Sequence, residues 1–130
     1  MTRPALVGLR HLALRVPTAT FDATVAFYRD AVGMAVQWQP DPDNVYLSSG
    51  TDNLALHRGE IEGGAASSLD HLGLFVPSAN EVEAWHSWIA ANATSLGAVI
   101  VQPVKLHRDG ATSFYVRDPA GHLVQFLHVP

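Results

Sequence analysis

The sequence repeats itself, and this repeat restricts the fold more than any other feature of the chain. The segment LRHLALRVPTA at positions 9–19 returns at positions 69–79 as LDHLGLFVPSA, with seven identical residues at a constant offset of sixty. One structural unit present twice predicts two similar modules packed together. Each copy carries one histidine, His11 or His71, at the equivalent position. If the modules pack around a local two-fold axis, both histidines reach one shared site.

Each copy opens a module whose first strand alternates with a period of two. Leucine and valine occupy one face of residues 8–16, and His11 lies on the other. After this strand, apolar residues at helical spacing predict a helix with a cap at Thr18 or Thr20 and an end near Val32. The apolar face of the strand is expected to pack under this helix.

The second module repeats this order. Its helix is predicted to begin at a capping box, Ser78 to Glu81, and to end near Asn92, with Trp85 and Trp88 in the core. The predicted strands span 34–39, 45–49 and 53–58 in the first module and 69–76, 98–103, 113–117 and 122–129 in the second. The chain is therefore predicted to be a single domain, 1–130, made of a βαβββ module at 1–58, a glycine-rich linker at 59–68 and a βαβββ module at 69–130.

Composition excludes several classes of partner and site. The formal net charge is −4 and charged residues make up 15% of the chain, so no basic surface for nucleic acid is expected. The sequence has no cysteine, which removes disulfides, thiolate ligands and cysteine nucleophiles. It also has no apolar run long enough for a membrane span or an export signal. These features predict a cytoplasmic protein without a membrane or nucleic-acid partner.

Four motifs resemble one known family. HLAL follows a short N-terminal segment, FYRDAVGM ends the first helix, HLGL restarts the second module and RDPAGHLVQF precedes the C-terminus. Together they are similar to the vicinal oxygen chelate superfamily, which includes glyoxalase I, fosfomycin and bleomycin resistance proteins, methylmalonyl-CoA epimerases and type I extradiol dioxygenases. The resemblance implies a glyoxalase-like α+β fold, in which two tandem βαβββ modules form a curled mixed sheet around an open cleft. It also implies a small-molecule substrate or ligand and a homodimer.

The resemblance further implies a divalent metal held by the first and last strands of each module. By position, the four ligand sites are His11, Ala55, His71 and Gln125. The family commonly has a carboxylate where Gln125 stands, and a carboxylate or glutamine where Ala55 stands. Two imidazoles and one amide oxygen can bind Fe, Mn, Ni or Zn. His11, His71 and Gln125 are therefore the predicted metal ligands, and no organic cofactor is expected.

Further polar and aromatic residues fall on the predicted cleft side. His57 and Tyr115 are the predicted catalytic residues, and the predicted substrate-binding residues are Arg15, Trp38, Tyr46, Phe75 and His107. No Asp or Glu lies on the predicted cleft faces, which disfavours proton-transfer isomerisation because that reaction requires a base beside the substrate. A metal-dependent enzyme with ring-cleaving, dioxygenase-like chemistry is the leading hypothesis. The alternative is a metal-free protein, similar to bleomycin resistance proteins, that sequesters an aromatic or antibiotic ligand between Trp38, Phe75 and Tyr115.

Overall fold

Two modules of the same order build the chain. The computed structural model describes residues 9–60 and 71–130, together with residues 5, 7 and 69. The first module contains β1 (His11–Val16), α1 (Thr18–Ala26), a π-helical turn (Phe27–Ala31), β2 (Ala35–Asp41), β3 (Asn44–Ser48) and β4 (Asn53–Arg58). The second contains β5 (Leu72–Phe75), α2 (Ala79–Leu96), β6 (Val99–Leu106), β7 (Thr112–Arg117) and β8 (Leu123–His128). Positions 61–68 of the predicted linker lie outside the described residues.

Each module forms a curled four-stranded sheet in which the first and last strands are parallel neighbours. The strand orders are β1-β4-β3-β2 and β5-β8-β7-β6, with antiparallel pairing elsewhere. Ala55 pairs with Tyr46 in the first sheet, and Gln125 pairs with Tyr115 in the second. The predicted equivalence of Ala55 and Gln125 is thus confirmed, as is the α+β architecture of two repeated modules.

Burial alternates along the first strand of each module. In β1, Leu14 and Val16 are buried whereas His11 is exposed. In β5, Leu72 is buried whereas Phe75 is 77% exposed. The buried faces and the two helices contribute to one hydrophobic core. The opposite faces, which carry the polar residues, remain open to a ligand.

The core of the second module contains stacked aromatic rings. Phe114 and Phe126 stack in parallel with ring centroids 5.1 Å apart, and Trp85 stacks on Phe126 at 5.2 Å. Trp88 is 44% exposed, so its predicted place in the core is wrong. Successive residues of a helix are rotated by about 100° around its axis, so Trp88, three residues after Trp85, lies about 60° away from it. This places Trp88 at the edge of the buried face of the helix.

The start of α1 differs from the predicted one. Pro17 occupies the cap position and no side chain caps the helix, so the predicted caps at Thr18 and Thr20 are wrong. The Thr18 N–H instead donates to Glu60 Oε1 at 3.2 Å. Proline precedes the first helical residue because its fixed φ is compatible with the entry into a helix. An acidic side chain from beyond β4 thus satisfies a backbone donor that a local cap usually satisfies.

The start of α2 agrees with the predicted capping box, and its end does not. Ser78 Oγ accepts from the Glu81 N–H at 3.2 Å. The helix runs past Asn92 to Leu96 and stops at Gly97, whose φ of 67° is the left-handed conformation that favours glycine. Among the described residues, neither helix has the length and apolar character that crossing a membrane requires.

A buried hydrogen-bond cluster ties the two modules together. The Tyr28 hydroxyl, in the π-helical turn, donates to Asp118 Oδ2 at 2.8 Å, and His122 Nδ1 lies 2.8 Å from the same oxygen. The other carboxylate oxygen accepts from the backbone N–H groups of Ala120 and His122. Burial, followed by the charge of Asp118 and its hydrogen bond, raises the pKa of Tyr28 well above its ordinary value. Tyr28 and the turn that contains Asp118 thus hold the modules together from within the core.

Candidate functional site

The first strands of the two modules border a cavity of about 380 Å³, which we name the first cavity. His11 from β1 and His71, which precedes β5, both lie in its wall. Much of the remaining wall is apolar, with contributions from Leu12, Met34 and Leu72. The two histidines of the sequence repeat therefore face the same space.

Hydrogen bonds orient the imidazole of His11. Its Nδ1 lies 2.7 Å from Asn53 Oδ1, and Asn53 Nδ2 donates to Gln37 Oε1 at 2.7 Å. Because the Asn53 oxygen can only accept, His11 Nδ1 carries the proton in this contact. A neutral imidazole in this tautomer has its lone pair on Nε2, which is the form required of a metal ligand or a proton acceptor.

A second cavity, of about 890 Å³, lies within the second module. His71 borders this cavity as well as the first one. The other polar wall residues come from β6, β7, β8 and the hairpin between β6 and β7, and they are Lys105, His107, Arg108, Asp109, Tyr115 and Gln125. Two predicted metal ligands, the predicted catalytic tyrosine and one predicted substrate-binding histidine therefore share one cavity.

Short contacts hold four of these wall residues in a defined arrangement. His107 Nε2 lies 2.6 Å from the hydroxyl oxygen of Ser113, and Gln125 Nε2 donates to the same oxygen at 3.1 Å. Ser113 itself is only 1% exposed. The ring of His71 packs edge-on against Tyr115, with the ring centroids 5.6 Å apart. The second cavity is thus lined by side chains whose orientations are mutually restrained.

The wall of the second cavity also carries two cationic side chains. Within the part of the chain that the structure describes, the side chains of Lys105 and Arg108 form no ion pair or hydrogen bond. The acidic wall residue Asp109 uses Oδ1 to accept from the Ala111 N–H at 3.0 Å. The Tyr115 hydroxyl has no hydrogen-bond partner among the described residues. Two cations and one phenol are therefore available to an incoming molecule.

Two carboxylates reach the cavities from turns, which corrects the expectation that no acidic residue lies on the cleft side. Asp52 borders the first cavity and Asp109 the second. Period-two counting assigns faces only within strands, and both residues lie in connections between strands. Partial burial would raise the pKa of Asp52, but hydrogen bonds from Ser49 and Ser48 outweigh it and leave this pKa lowered. Asp52 is consequently a weak base that stabilises its own turn.

Three predicted site residues of the first module lie away from both cavities. Trp38, Tyr46 and His57 form a row across β2, β3 and β4, with ring centroids 5.0 Å apart for the first pair and 5.7 Å for the second. His57 Nδ1 lies 2.6 Å from Asn44 Oδ1. The structure places the predicted catalytic residues His57 and Tyr115 in different modules, and only Tyr115 borders the second cavity.

The other two predicted substrate-binding residues, Arg15 and Phe75, are exposed and border neither cavity. Arg15 runs along Gly59, so closely that a Cβ atom at that position would lie 2.6 Å from Arg15 Nη1. Phe75 projects from the open face of β5. Their roles in binding a substrate stay predictions.

The three predicted metal ligands do not share one cavity. His11 and His71 face the first cavity, whereas His71 and Gln125 face the second. Among residues 9–60 and 71–130, no three His, Cys, Asp or Glu side chains lie close enough together to hold an ion. A stable centre needs three or four protein donors, and each cavity is bordered by only two of the three predicted ligands. The metal stays a prediction, and no chemical step below passes through it.

Sequence reasoning misses Lys105, which borders the second cavity, and the buried Ser113, which contacts two of its wall residues. Ser113 shares a strand face with Tyr115 by period two, but a lone serine belongs to no recognisable motif. Lys105 falls beyond the predicted end of its strand at residue 103, whereas β6 extends to Leu106. Lys105 could therefore have been identified if the end of this strand had been predicted correctly.

Comparison with known proteins agrees with this architecture. The model of the Glyoxalase/Bleomycin resistance protein/Dioxygenase superfamily matches residues 8–126. Lactoylglutathione lyase from Agrobacterium tumefaciens is similar in structure, with a TM-score of 0.75 and 22% identity over 95% of each chain. A family enzyme from Burkholderia phytofirmans PsJN has a TM-score of 0.72 and 14% identity, over 92% of this chain and 97% of that one. Comparison with curated protein sequences gives no match. At these identities the structural likeness supports the fold alone.

Proposed function

The chain belongs to the glyoxalase/bleomycin resistance protein/dioxygenase superfamily, and on this premise we propose that it is an enzyme acting on a small anionic molecule in the second cavity. One observation carries the proposal. A single cavity collects the imidazoles of His71 and His107, the phenol of Tyr115 and the amide of Gln125. Convergent polar groups in a concave site of this size are typical of sites that bind and transform small molecules.

The anionic character of the substrate follows from Lys105 and Arg108. Both cations border the cavity and have no carboxylate partner among the described residues. A carboxylate or phosphate group on the substrate supplies the missing counter-charge. Because both side chains are exposed, salt screens their attraction, and substrate affinity is expected to fall as ionic strength rises.

Proton transfer is the chemistry that these residues support. His71 borders the second cavity, and imidazole is the commonest general base in enzymes, so we assign to His71 the acceptance of a proton from a bound substrate. The Tyr115 hydroxyl, which has no partner among the described residues, is placed to donate a hydrogen bond to a substrate oxygen. Hydroxylated aromatic acids and oxo acids carry both the anion and the oxygen that this arrangement requires.

The test is a turnover screen of hydroxylated aromatic acids, catechols and oxo acids, with kcat/KM measured for wild type and for variants. Tyr115→Phe is expected to lower kcat/KM by about tenfold, because one hydrogen bond to the substrate is lost. Lys105→Ala and Arg108→Ala are each expected to raise KM about two- to fivefold, with a weaker salt dependence. Arg117→Ala is the matched control, since the Arg117 guanidinium donates to the Gly121 carbonyl and does not border the cavity. Equal effects in the control, or no turnover of any compound, would contradict the proposal.

The ring-cleaving hypothesis is tested in the same screen. Catechol is assayed under air and under nitrogen, with and without added Fe²⁺ or Mn²⁺, and the purified protein is analysed for bound metal. Oxygen-dependent ring cleavage with stoichiometric metal that disappears in a His11→Ala, His71→Ala double variant supports that chemistry. Metal-independent turnover supports the proton-transfer proposal instead.

A second candidate function, binding without turnover, is favoured by the row of aromatic rings in the first module. Trp38 is 59% exposed, and its ring lies 5.0 Å from that of Tyr46, so the pair offers an accessible surface for a planar ligand. Titration with planar aromatic compounds is followed by tryptophan fluorescence, with Trp38→Phe as the variant that removes the signal. Saturable binding without product from any compound favours this function over the enzyme.

We also propose that the protein is a homodimer. Large apolar side chains are exposed on strands of both modules, namely Val36, Trp38, Phe75, Val99, Val101 and Leu106. A second chain that covered these strands would remove the exposed apolar side chains from water. Light scattering after size exclusion is expected to give twice the chain mass of 14.0 kDa. A monomer mass at micromolar concentration would contradict this.

A further inference from the structure

We infer that Ser113 and His107 are positioning residues that hold the Gln125 amide with its carbonyl oxygen, and not its NH₂ group, towards the open space beside Gly73. The meaning of this arrangement for a substrate rests on the proposed function, but the arrangement itself does not. It assigns a role to Ser113, a buried residue that borders no site in the sequence-based interpretation.

The first step of the argument is the hydrogen-bond inventory around Ser113. Gln125 Nε2 can only donate, so the Ser113 oxygen, 3.1 Å away, accepts from it. The Ser113 proton then needs an acceptor, because the side chain is 1% exposed and water does not readily reach it. His107 Nε2, 2.6 Å away, is the acceptor at hand. This places the proton of neutral His107 on Nδ1 and gives a chain of hydrogen bonds that all run in one direction.

The second step is that the amide orientation and the His107 tautomer are coupled. If Gln125 were turned around, Ser113 would have to donate to Gln125 Oε1, and His107 Nε2 would have to carry a proton and donate to Ser113. In the structure the NH₂ group donates to Ser113, which requires an unprotonated His107 Nε2. The tautomer of His107 therefore reports the orientation of the Gln125 amide.

The third step concerns the space that the carbonyl oxygen faces. Gly73 pairs with Gln125 across β5 and β8, and a Cβ atom at Gly73 would lie 3.9 Å from Gln125 Oε1. The absence of a side chain at Gly73 leaves space beside this oxygen. One N–H of the Gln125 NH₂ group donates to Ser113 and the other remains a donor, so the acceptor that the amide offers is its carbonyl oxygen beside Gly73.

The consequence is a rule for what the second cavity recognises. The Gln125 carbonyl oxygen is an acceptor, so the group placed against this oxygen must be a hydrogen-bond donor, such as a hydroxyl, or a cation. Lys105 and Arg108 at the same cavity favour an anion. The compound class that meets both conditions is a small acid with a hydroxyl group, and its O-methylated analogue fails the first condition.

The experiment measures the amide directly by NMR on the ¹⁵N,¹³C-labelled full chain. The Gln125 NH₂ resonances are identified by their loss in Gln125→Glu. In wild type they are expected to show contacts to the Ser113 β-protons and solvent exchange on the order of tenfold slower than the exposed amide of Gln39. The His107 ¹⁵N shifts are expected to show a protonated Nδ1 and an unprotonated Nε2.

Variants separate positioning from general damage to the fold. Ser113→Ala removes the acceptor and is expected to abolish the slow exchange, and Ser113→Thr, which keeps the hydroxyl, is expected to restore it. His107→Phe frees the Ser113 proton for the Gln125 carbonyl, so contacts between the NH₂ group and Ser113 are expected to weaken. Thr112→Ala is the control, because this neighbour has no side-chain hydrogen bond within the described residues. Backbone spectra establish that each variant is folded.

Two results would overturn the inference. One is Gln125 NH₂ exchange in wild type as fast as that of Gln39, and the other is unchanged exchange in folded Ser113→Ala. If Ser113→Ala does not fold, the result for His107→Phe is decisive, because the backbone of residue 107 keeps its hairpin hydrogen bonds with Ala111 and Gly110 in that variant. The NMR experiment is independent of the proposed enzymatic function. A screen without turnover contradicts the proposed function, whereas the NMR experiment tests only the orientation of the Gln125 amide.

Discussion

Replacing Tyr28 by phenylalanine tests the contact that joins the two modules. The substitution removes one hydroxyl from a fully buried ring and leaves the ring itself in place. That hydroxyl donates to Asp118 Oδ2 at 2.8 Å. A hydrogen bond to a charged group contributes about 1.5–3 kcal/mol to stability. At pH 7 we therefore expect Tyr28→Phe to lower the free energy of unfolding by about 2 kcal/mol.

The same hydroxyl predicts a pH dependence of known sign. The pKa of Tyr28 in the folded chain is raised above the ordinary value of 10.0 by burial and by Asp118. The raised pKa contributes to the free energy of unfolding, and this contribution is fully present below pH 10. It is lost as the pH rises towards the folded-state pKa, because Tyr28 ionises in the unfolded chain before it ionises in the folded one. One pH unit above the ordinary value, the loss is about 1.4 kcal/mol. Tyr28→Phe cannot ionise, so the difference between the two proteins should shrink from about 2 kcal/mol at pH 7 to about 0.6 kcal/mol at pH 11.

Urea denaturation followed by far-ultraviolet circular dichroism measures both numbers, with equal m-values as the condition for comparing them. Tyr46→Phe is the control, because the Tyr46 hydroxyl has no hydrogen bond within the described residues, and a change within about 0.5 kcal/mol is expected. The reasoning is refuted if Tyr28→Phe unfolds within 0.5 kcal/mol of wild type at pH 7. It is equally refuted if the difference is the same at both pH values.

Three further substitutions test the local structure by the same denaturation assay. Ser78→Ala removes the cap of α2 and should cost about 1 kcal/mol, and no change would mean that the bond to the Glu81 N–H contributes nothing. Gly97→Ala forces a Cβ into the left-handed conformation at φ 67° and should cost about 1–2 kcal/mol, whereas a stabilised variant would contradict that conformation. Phe126→Ala empties the centre of the aromatic stack and should cost about 3–5 kcal/mol, and a loss below 1 kcal/mol would show that the stack is not packed as described.

Some of the candidate site was predictable because it depends on strand alternation. His11 and His71 were expected on the face opposite the leucines of their modules, and the structure brings both to the first cavity. Gln125 was predicted to occupy the position in the second module that Ala55 occupies in the first, and the strand pairing of the two sheets confirms this equivalence. Alternation is a property of the local backbone, so it can be counted from residue to residue without knowledge of distant contacts.

Other parts of the site were not predictable from alternation. His57 and Tyr115 both lie on open strand faces, yet one stands in the aromatic row of the first module and the other in the second cavity. Lys105 and Asp109 enter the cavity from a strand end and a hairpin, where period-two counting no longer applies. Ser113 gains its role only from the two side chains that it contacts.

The two βαβββ modules were predictable from the amino-acid sequence, because a segment that recurs at an offset of sixty, alternating strands and the capping box of α2 are all visible in short stretches of chain. Which polar residues share a cavity depends on the folded arrangement of the strands. Alternation specifies the face on which a side chain lies, but the curl of each sheet and the docking of the modules specify the distances between side chains. For that reason the repeat predicted that His11 and His71 would lie close to each other. The contacts among His107, Ser113 and Gln125 depend instead on how β6, β7 and β8 pack against one another, which the sequence did not reveal.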